Sequence, residues 1–190
     1  KLIKNKFSEI TVLYSKKNKG YAGGCNHGAK HTERELLVFL NNDTEVESDW
    51  LTQLLKTINN SNISSVQPKI INKNDKERFD YAGASGGFID KYCYPFARGR
   101  IFNTIEKDEG QYDDIIQTFW ASGTGFITKR YIFEKIGGFD ENLFAHMEEI
   151  DYHWKCHLVG YDVISVPESI VYHKGGQTLD YHSPFKTYLN

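Results

Sequence analysis

The chain has 190 residues, of which 39% are hydrophobic and 14% aromatic, and its formal net charge is −2. This composition is typical of a folded globular protein, and the length suits one domain with a substantial core. The small net charge and the scattered basic residues exclude the footprint of a nucleic-acid-binding protein. No apolar run approaches the roughly 20 residues of a membrane-spanning helix, and no signal peptide is recognisable. Three irregularly spaced cysteines (Cys25, Cys93 and Cys156) indicate a reducing compartment and not a disulfide framework.

The first third of the chain predicts alternating strands and helices. Ile10–Tyr14 and Leu36–Leu40 are predicted strands, and the glycine-rich segment Gly20–Lys30 between them is a crossover of helical length. Strand, crossover and strand make a βαβ unit, in which the two strands run parallel. Because Leu36–Leu40 is entirely apolar, we expect it to be buried on both faces. Ser48–Ile58 follows as an amphipathic helix with one apolar face.

The rest of the chain predicts further strands and helices around a long irregular segment. Val66–Ile71 is a predicted strand, and Pro68 within it indicates an edge position or an irregular end. Residues 73–114 alternate glycines with aromatic residues, which indicates hairpins. The aromatic side chains form a small satellite core, which is the simpler interpretation, or they form a platform for an acceptor sugar. The later elements are predicted strands at Ile116–Trp120, Gly125–Thr128, Val163–Val166 and Ile170–Tyr172, and predicted helices at Lys129–Ile136 and Met147–Val159.

Polar side chains follow Leu36–Leu40 at its carboxyl end, in the order Asn41-Asn42-Asp43-Thr44. Ligands of open α/β sheets bind beside the carboxyl ends of strands. In one interpretation, Asp43 holds a divalent cation that bridges a diphosphate. In the other, its side chain forms an Asx-turn with the local backbone. These residues alone favour the two interpretations equally.

A second acidic group, Glu148, Glu149 and Asp151, lies near the start of a predicted helix. A carboxylate in this position can serve as a general base, or it can simply complement the helix dipole. Glu149 and Asp151 are two residues apart, about 200° around a helix, and therefore cannot share one face.

Histidines provide two further hypotheses. His153, Cys156 and His157 lie on the same predicted helix and permit a zinc site, although they lack the H-E-x-x-H pattern and two exposed histidines are the simpler interpretation. His173 follows a predicted strand and precedes a glycine-containing loop, a position that suits a metal ligand or a phosphate contact.

Taken in order, these segments resemble the family 2 glycosyltransferases, which have the GT-A fold, and in particular their rhamnosyltransferase-like branch. The resemblance extends from about Thr11 to Thr178. The matching segments are Asn18–Asn26, Phe39–Thr44, Ala121–Gly123, Gly137–Glu141, Glu148–Asp151 and His173–Gly176. Two positions depart from the family pattern: Asn41 replaces the first acid of the metal motif, and Glu149 replaces the usual aspartate. These departures keep open a catalytically silent domain that binds a sugar or nucleotide.

The resemblance implies an α/β domain with a mixed, mostly parallel sheet and helices on both faces. It implies transfer of a sugar, with inversion, from a nucleotide-diphosphate donor to a hydroxyl of a glycan or lipid-linked glycan, in bacterial polysaccharide or cell-surface glycan synthesis. By the same resemblance, Asp43 and His173 bind Mg²⁺ or Mn²⁺, and Glu149 is the general base. Asp151 supports the helix start or binds the acceptor. The residues implied to bind the donor are Gly20, Asn26, Asn41 and Asn42.

The family enzymes begin with a strand, a helix and a second strand that help to bind the nucleoside, and nothing before Ile10 matches them. We therefore expect residues 1–190 to be a single, N-terminally truncated GT-A domain that is inactive alone and self-associates through an exposed sheet edge. The implied location is the cytoplasm, and the resemblance allows peripheral association of the full-length protein with the inner face of the membrane.

Overall fold

The computed structural model describes residues 2–175, which form a mixed α/β domain with one large and one small sheet. The helices are α1 (Leu2–Lys6), α2 (Gly20–Ala29), α3 (Trp50–Ile58), α4 (Arg130–Ile136) and α5 (Glu148–Leu158). The strands are β1 (Leu36–Leu40), β2 (Thr44–Val46), β3 (Ile63–Asn72), β4 (Gly87–Ile89), β5 (Pro95–Ala97), β6 (Arg100–Ile101), β7 (Thr104–Ile105), β8 (Ile116–Thr118), β9 (Gly125–Lys129) and β10 (Asp162–His173). Among residues 2–175, no helix has the length and apolar character needed to cross a membrane.

The large sheet has the strand order β1-β9-β3-β10-β2, with β8 also paired to β10. It is mixed, as expected, but the expectation of mostly parallel pairing is wrong for the described residues, where β3 with β10 is the one parallel pair. The reason is that β9 lies antiparallel between β1 and β3. Strands β1, β3 and β10 nevertheless run in the same direction, so their carboxyl ends meet at one edge of the sheet.

Helices cover both faces of the large sheet, as predicted. On one face, α2, α4 and α5 enclose an aromatic core that includes Phe126 and Tyr152. On the other face, α3 buries Leu54 and Ile58 against Ile127. Phe126 and Ile127 are neighbours on β9, and alternate residues of a strand point to opposite faces, so this strand contributes to both cores.

The predicted βαβ unit lacks its first strand in the structure. The predicted strand Ile10–Tyr14 has no regular structure, and Ile10, Leu13 and Tyr14 are exposed. Strand β1 is as predicted in extent, but it lies at the edge of the sheet, and its Val38 and Leu40 are 41% and 40% exposed. Its predicted burial on both faces is therefore wrong here. A strand forms only where its backbone finds a partner, and Ile10–Tyr14 finds none among the described residues.

The expected edge position of Pro68 is also wrong, because β3 lies between β9 and β10 and is almost entirely buried. Pro68 has no N–H group to donate to a neighbouring strand. The structure accommodates it at a register shift, where β10 bulges between Val166 and Ile170 opposite Pro68 and Lys69. The missing donor therefore falls where the ladder is already interrupted.

Residues 73–114 contain the predicted hairpins, as the meander β4-β5-β6-β7. The inner face of this small sheet packs Ala97 against Trp120 and Ile150. The indole N–H of Trp120 donates to the carbonyl oxygen of Phe88 at 2.9 Å, which anchors the small sheet on the large one. Phe79 belongs to the expected satellite core, whereas several other aromatic side chains of the meander are exposed.

Candidate active site

Asp43 and His173, the two predicted metal ligands, lie side by side at the edge where β1 and β10 end. Strand β2 starts at Thr44 and pairs antiparallel with β10, so that Thr44 is opposite His173. The N–H of Lys174 donates to the backbone oxygen of Asp43 at 3.1 Å. These backbone contacts place Oδ1 of Asp43 3.2 Å from Nε2 of His173. The structure therefore brings together two side chains that are 130 residues apart in the sequence.

Asp80 fixes the orientation of the His173 ring from the other side. Oδ1 of Asp80 lies 2.9 Å from Nδ1 of His173 and also accepts the N–H of Ala82 at 2.8 Å. Both Asp80 and His173 are buried. Burial by itself lowers the pKa of His173, but the hydrogen bond and charge of Asp80 and the charge of Asp43 outweigh it, so that the pKa is raised. With Nδ1 bonded to Asp80, Nε2 faces Asp43, an arrangement typical of a metal-ligating histidine.

This donor set fits a divalent cation held jointly with phosphate groups. Among residues 2–175 there is no group of three or more His, Cys, Asp or Glu side chains arranged to hold a metal. Mg²⁺ is commonly held by one or two carboxylates together with substrate phosphates, and Mn²⁺ accepts imidazole as well as oxygen ligands. A carboxylate oxygen of Asp43 and Nε2 of His173 meet that requirement, because the Asp43 side chain is 19% exposed and can be reached from solvent.

The turn Ala121–Thr124 links this pair to the acidic start of α5. The N–H of Asn41 donates to the oxygen of Thr124 at 2.9 Å. The fully buried Gln67 accepts the N–H of Ser122 at 2.8 Å, and the Ser122 hydroxyl donates to the oxygen of Ala82. The turn is thus held to β1, to β3 and to the loop that carries Asp80, so its position relative to the metal pair is fixed.

Glu149 lies directly against this turn. A Cβ atom added to Gly123 would meet Cδ of Glu149 at 3.8 Å, and the Glu149 carboxylate accepts a backbone hydrogen bond from Gly123. Tyr21, in α2, donates its hydroxyl to the oxygen of Gly123 at 2.6 Å. Burial raises the pKa of Glu149 by more than its backbone hydrogen bonds lower it. Its Oε2 is buried and has no hydrogen-bond partner among the described residues.

Glu148 is the second buried carboxyl group at the start of α5. Burial, and then the charge of Glu149, raise the pKa of Glu148 to about 8. Immediately before the helix, His146 and Met147 have φ angles of 72° and 71°. Bulky residues rarely adopt this left-handed conformation, and such strain concentrates at functional sites. A strained helix start that carries two buried carboxyl groups of raised pKa is suited to proton transfer near neutral pH.

Asp151 lies apart from Glu149, as the helical spacing predicted. Its side chain is 30% exposed, and its Oδ2 is 2.6 Å from Nζ of Lys155, one turn further along α5. An exposed i,i+4 ion pair of this kind contributes about 0.3–0.5 kcal/mol. The structure therefore gives Asp151 a supporting position on α5 and no contact with Glu149.

The four predicted donor-binding residues occupy two different environments. The Asn26 carboxamide is buried and bonds to both the N–H and the oxygen of Phe139, so it ties α2 to the loop before α5. Gly20 begins α2 with a φ of 68°, and an added Cβ would lie 1.9 Å from the backbone oxygen of Phe144. These two residues have structural positions. Asn41 is half-buried and Asn42 is exposed, and both directly precede Asp43 in the sequence.

The histidines of α5 do not form a zinc site. His153 is fully buried, which contradicts the expectation of two exposed histidines, and its Nδ1 accepts the N–H of Ala121 at 3.3 Å. Burial lowers the pKa of His153 to about 3, so the ring is neutral. Nε2 of His157 lies 2.8 Å from the oxygen of Phe119, on which the ring also stacks. Both rings therefore position the segment that leads into the turn Ala121–Thr124.

Comparison with known proteins identifies the family of this chain. The sequence model described as "Glycosyl transferase family 2" matches residues 1–137. The low-salt glycan biosynthesis hexosyltransferase Agl10 of Haloferax volcanii is 24% identical over 155 residues, which cover 78% of this chain and 46% of that protein. The chain thus spans less than half the length of this curated relative.

Two solved structures have the same fold. The crystal structure of GalNAc-T7 with UDP, GalNAc and Mn²⁺ superposes with a TM-score of 0.70 and 19% identity, over 90% of this chain and 34% of that chain. The mannosyltransferase PcManGT of Pyrobaculum calidifontis, in complex with GDP-Man and Mn²⁺, gives a TM-score of 0.56 and 17% identity, over 88% of this chain and 40% of that chain. The fold is therefore GT-A, and the chain belongs to glycosyl transferase family 2.

Proposed function

We propose that this chain forms the metal-binding and catalytic part of an inverting glycosyltransferase that uses a nucleotide-diphosphate sugar. Two pairs of side chains carry the proposal. Asp43 lies 3.2 Å from His173 on one side of the turn Ala121–Thr124. The neighbouring carboxyl groups of Glu148 and Glu149 lie on the other side of that turn. A site for a cation and a buried base are the two groups that such a transfer needs, since negative charge develops on the leaving diphosphate while the acceptor hydroxyl loses a proton.

In this proposal Asp43 and His173 hold Mg²⁺ or Mn²⁺. When bound, the cation supplies Lewis-acid stabilisation of the leaving nucleoside diphosphate. Asp80 keeps the His173 ring oriented, so that Nε2 and the Asp43 carboxylate converge on one position. The two structural neighbours that contain Mn²⁺ support the choice of a divalent cation. Asn41 and Asn42, which directly precede Asp43 in the sequence, are proposed to donate hydrogen bonds to the donor.

Glu149 is the proposed general base. Its carboxylate takes the proton of the acceptor hydroxyl while the oxygen of that hydroxyl forms a bond to the anomeric carbon, and the bond to the diphosphate breaks on the opposite face. The sugar is therefore transferred with inversion. Burial raises the pKa of Glu149, which increases its affinity for the proton of the acceptor hydroxyl. Asp151 supports the start of α5 through its pair with Lys155.

The proposed acceptor is a glycan or a lipid-linked glycan in polysaccharide or cell-surface glycan synthesis. The name of the hexosyltransferase Agl10 supports transfer of a hexose to a growing glycan. Cys25, Cys93 and Cys156 are unpaired in the structure, which supports a reducing, cytoplasmic location.

The alternative is a silent domain that binds nucleotide sugars without transferring them, which the departures at Asn41 and Glu149 leave open. The two functions are separated by incubating the purified full-length protein with a panel of nucleotide sugars and Mn²⁺ and measuring release of nucleoside diphosphate. We expect turnover of at least one donor, loss of most of it in Asp43→Asn, and normal turnover in the matched control Asp49→Asn, whose exposed carboxylate accepts a hydrogen bond from the Gln53 side chain instead. Binding of a donor without turnover, in the presence of acceptor extracts, would favour the silent domain.

A further inference from the structure

Two histidines lie one helical turn apart at the carboxyl end of α2. His27 is in the last turn of this helix, and His31 comes just after the helix ends at Ala29. The centres of their imidazole rings are 4.4 Å apart, and the ring planes meet at an angle of 62°. His31 is exposed and His27 is half-buried, so the two residues lie at the surface. We call His27 and His31 the α2 histidine pair.

The backbone holds the His31 ring in the orientation that a metal-ligating histidine requires. The N–H of His31 donates to the oxygen of Gly28 at 3.0 Å, and Nδ1 of its ring lies 2.8 Å from the backbone oxygen of His27. Because a carbonyl oxygen can only accept, Nδ1 carries the proton in the neutral ring, and Nε2 has the free lone pair. A bond from the second ring nitrogen to a carbonyl oxygen is typical of histidines that bind metal ions.

The distance between the two rings fits joint binding of one ion. Imidazole nitrogens bind divalent ions at about 2.0–2.1 Å, so two imidazoles in neighbouring positions about 90° apart have ring centres about 4.5 Å apart. A tetrahedral angle gives a separation of about 5.2 Å instead. The observed 4.4 Å matches neighbouring positions of a square-planar or octahedral ion. Within residues 2–175 the His27 ring contacts the His31 ring and forms no hydrogen bond of its own, so its nitrogens are available.

The chemistry of the pair selects the ion. Imidazole ligands suit Cu²⁺, Ni²⁺ and Zn²⁺, whereas oxygen ligands suit Mg²⁺ and Mn²⁺, and square-planar or octahedral positions favour Cu²⁺ and Ni²⁺ over tetrahedral Zn²⁺. The negative end of the helix dipole also favours a cation at this end of α2. The charge of the exposed Lys30 opposes it, as does that of Arg130, which donates to the oxygens of Ala29 and Thr32. Binding therefore depends on both imidazoles.

The histidines of α5 have the same spacing in the sequence but lack this availability. His153 is fully buried and its Nδ1 accepts the N–H of Ala121. Nε2 of His157 lies 2.8 Å from the oxygen of Phe119. Spacing alone therefore does not distinguish the two pairs, and only the α2 histidine pair combines surface position with an unbonded Nε2.

We propose that the α2 histidine pair binds one Cu²⁺ or Ni²⁺ ion, with water completing its coordination, at a site separate from Asp43 and His173. The ion links the last turn of α2 to the loop that leads into β1. Tyr21, at the other end of α2, donates its hydroxyl to the oxygen of Gly123, so the ion stabilises a helix that supports the candidate active site. The proposal does not depend on the proposed sugar transfer.

Calorimetric titration of the untagged full-length protein with Ni²⁺ at neutral pH tests the proposal. Every protein in the series carries Asp43→Asn, which removes a ligand of the other proposed cation site. Adding His27→Gln or His31→Gln should weaken the Ni²⁺ dissociation constant at least tenfold, because the second imidazole otherwise binds intramolecularly at a high effective concentration. His157→Gln, which removes a histidine of the α5 pair, should leave the dissociation constant within twofold of its background.

Two further measurements report on the same ion. The electron paramagnetic resonance spectrum of the Cu²⁺-loaded background protein should show splitting from two nitrogens, and each single histidine variant should lose one of them. Excess Ni²⁺ should raise the melting temperature of the background protein but not that of His27→Gln or His31→Gln. The absence of Ni²⁺ binding in the background protein, or equal affinity after either substitution, would overturn the proposal and show that the two rings only pack against each other.

Discussion

Replacing Glu149 with glutamine should separate catalysis from stability. The side chain keeps its shape, and its amide oxygen can still accept the backbone hydrogen bond from Gly123. Loss of a general base typically lowers the rate by about 10²–10⁴-fold, or about 2.7–5.4 kcal/mol of transition-state stabilisation. Burial disfavours the charged form of Glu149, so the neutral glutamine should leave the folded protein as stable as the parent or more stable above neutral pH.

The assay measures kcat for donor turnover with acceptor, together with thermal unfolding of the same samples. We expect kcat of Glu149→Gln to fall by at least a hundredfold while the melting temperature at pH 8 does not fall. The matched control is Asp151→Asn, which loses only the partly exposed pair with Lys155. It should lose about 0.3–0.5 kcal/mol of stability and keep its turnover within a few-fold. Near-normal kcat in Glu149→Gln, with strong loss in Asp151→Asn, would show that the base lies on the other side of α5.

Three further predictions concern the groups around the site. Asp80→Asn removes the charge that orients the imidazole and should weaken Mn²⁺ binding, measured by calorimetric titration, about 10–100-fold, whereas the exposed control Asp75→Asn should not. Burial raises the folded-state pKa of Glu148 to about 8, so the stability that its protonated form contributes is fully present below the unfolded-state pKa and is lost as pH rises through 8. Glu148→Gln stays neutral at every pH, so its stability in urea unfolding, relative to the parent, should be about 1–3 kcal/mol higher at pH 8.5 than at pH 5. A stability difference between variant and parent that is the same at both pH values would refute this. Gly20 has a φ of 68°, and an added Cβ would clash with the backbone oxygen of Phe144. Gly20→Ala should therefore destabilise the folded protein by about 1–3 kcal/mol in the same urea assay, and an unaltered unfolding midpoint would contradict this geometry.

Local patterns made much of the fold predictable. The apolar run Leu36–Leu40, the helix at α3 and the helix that carries Glu149 are each set by residues close in sequence. Strand pairing was less predictable, because the partner of a strand lies far away along the chain. Pro68 illustrates this: its missing N–H suggested an edge position or an irregular end, but a bulge in β10, almost 100 residues later, accommodates it inside the sheet. Self-association through the exposed edge of β1 stays a prediction, which sedimentation velocity can test.

The same distinction applies to the candidate site. Asp43 and His173 were recognisable because each lies in a motif, and the sheet brings them to 3.2 Å. Asp80 and Gln67 carried no local signal, since their partners are 93 and 55 residues away. Asn26 occurs in a matching motif, yet its carboxamide is used to hold Phe139. A motif thus indicated where the site lies, and only the packing showed which polar side chains support the structure.

Asp43 and His173 are proposed to hold the cation that a donor diphosphate needs. The most direct measurement is turnover of the best nucleotide-sugar donor by the full-length protein after treatment with EDTA and then with added Mn²⁺. A carboxylate facing a diphosphate repels it unless a cation lies between them. Turnover should therefore disappear in EDTA and return with Mn²⁺ in the parent, but not in Asp43→Asn. Turnover that is unchanged in EDTA would contradict the account.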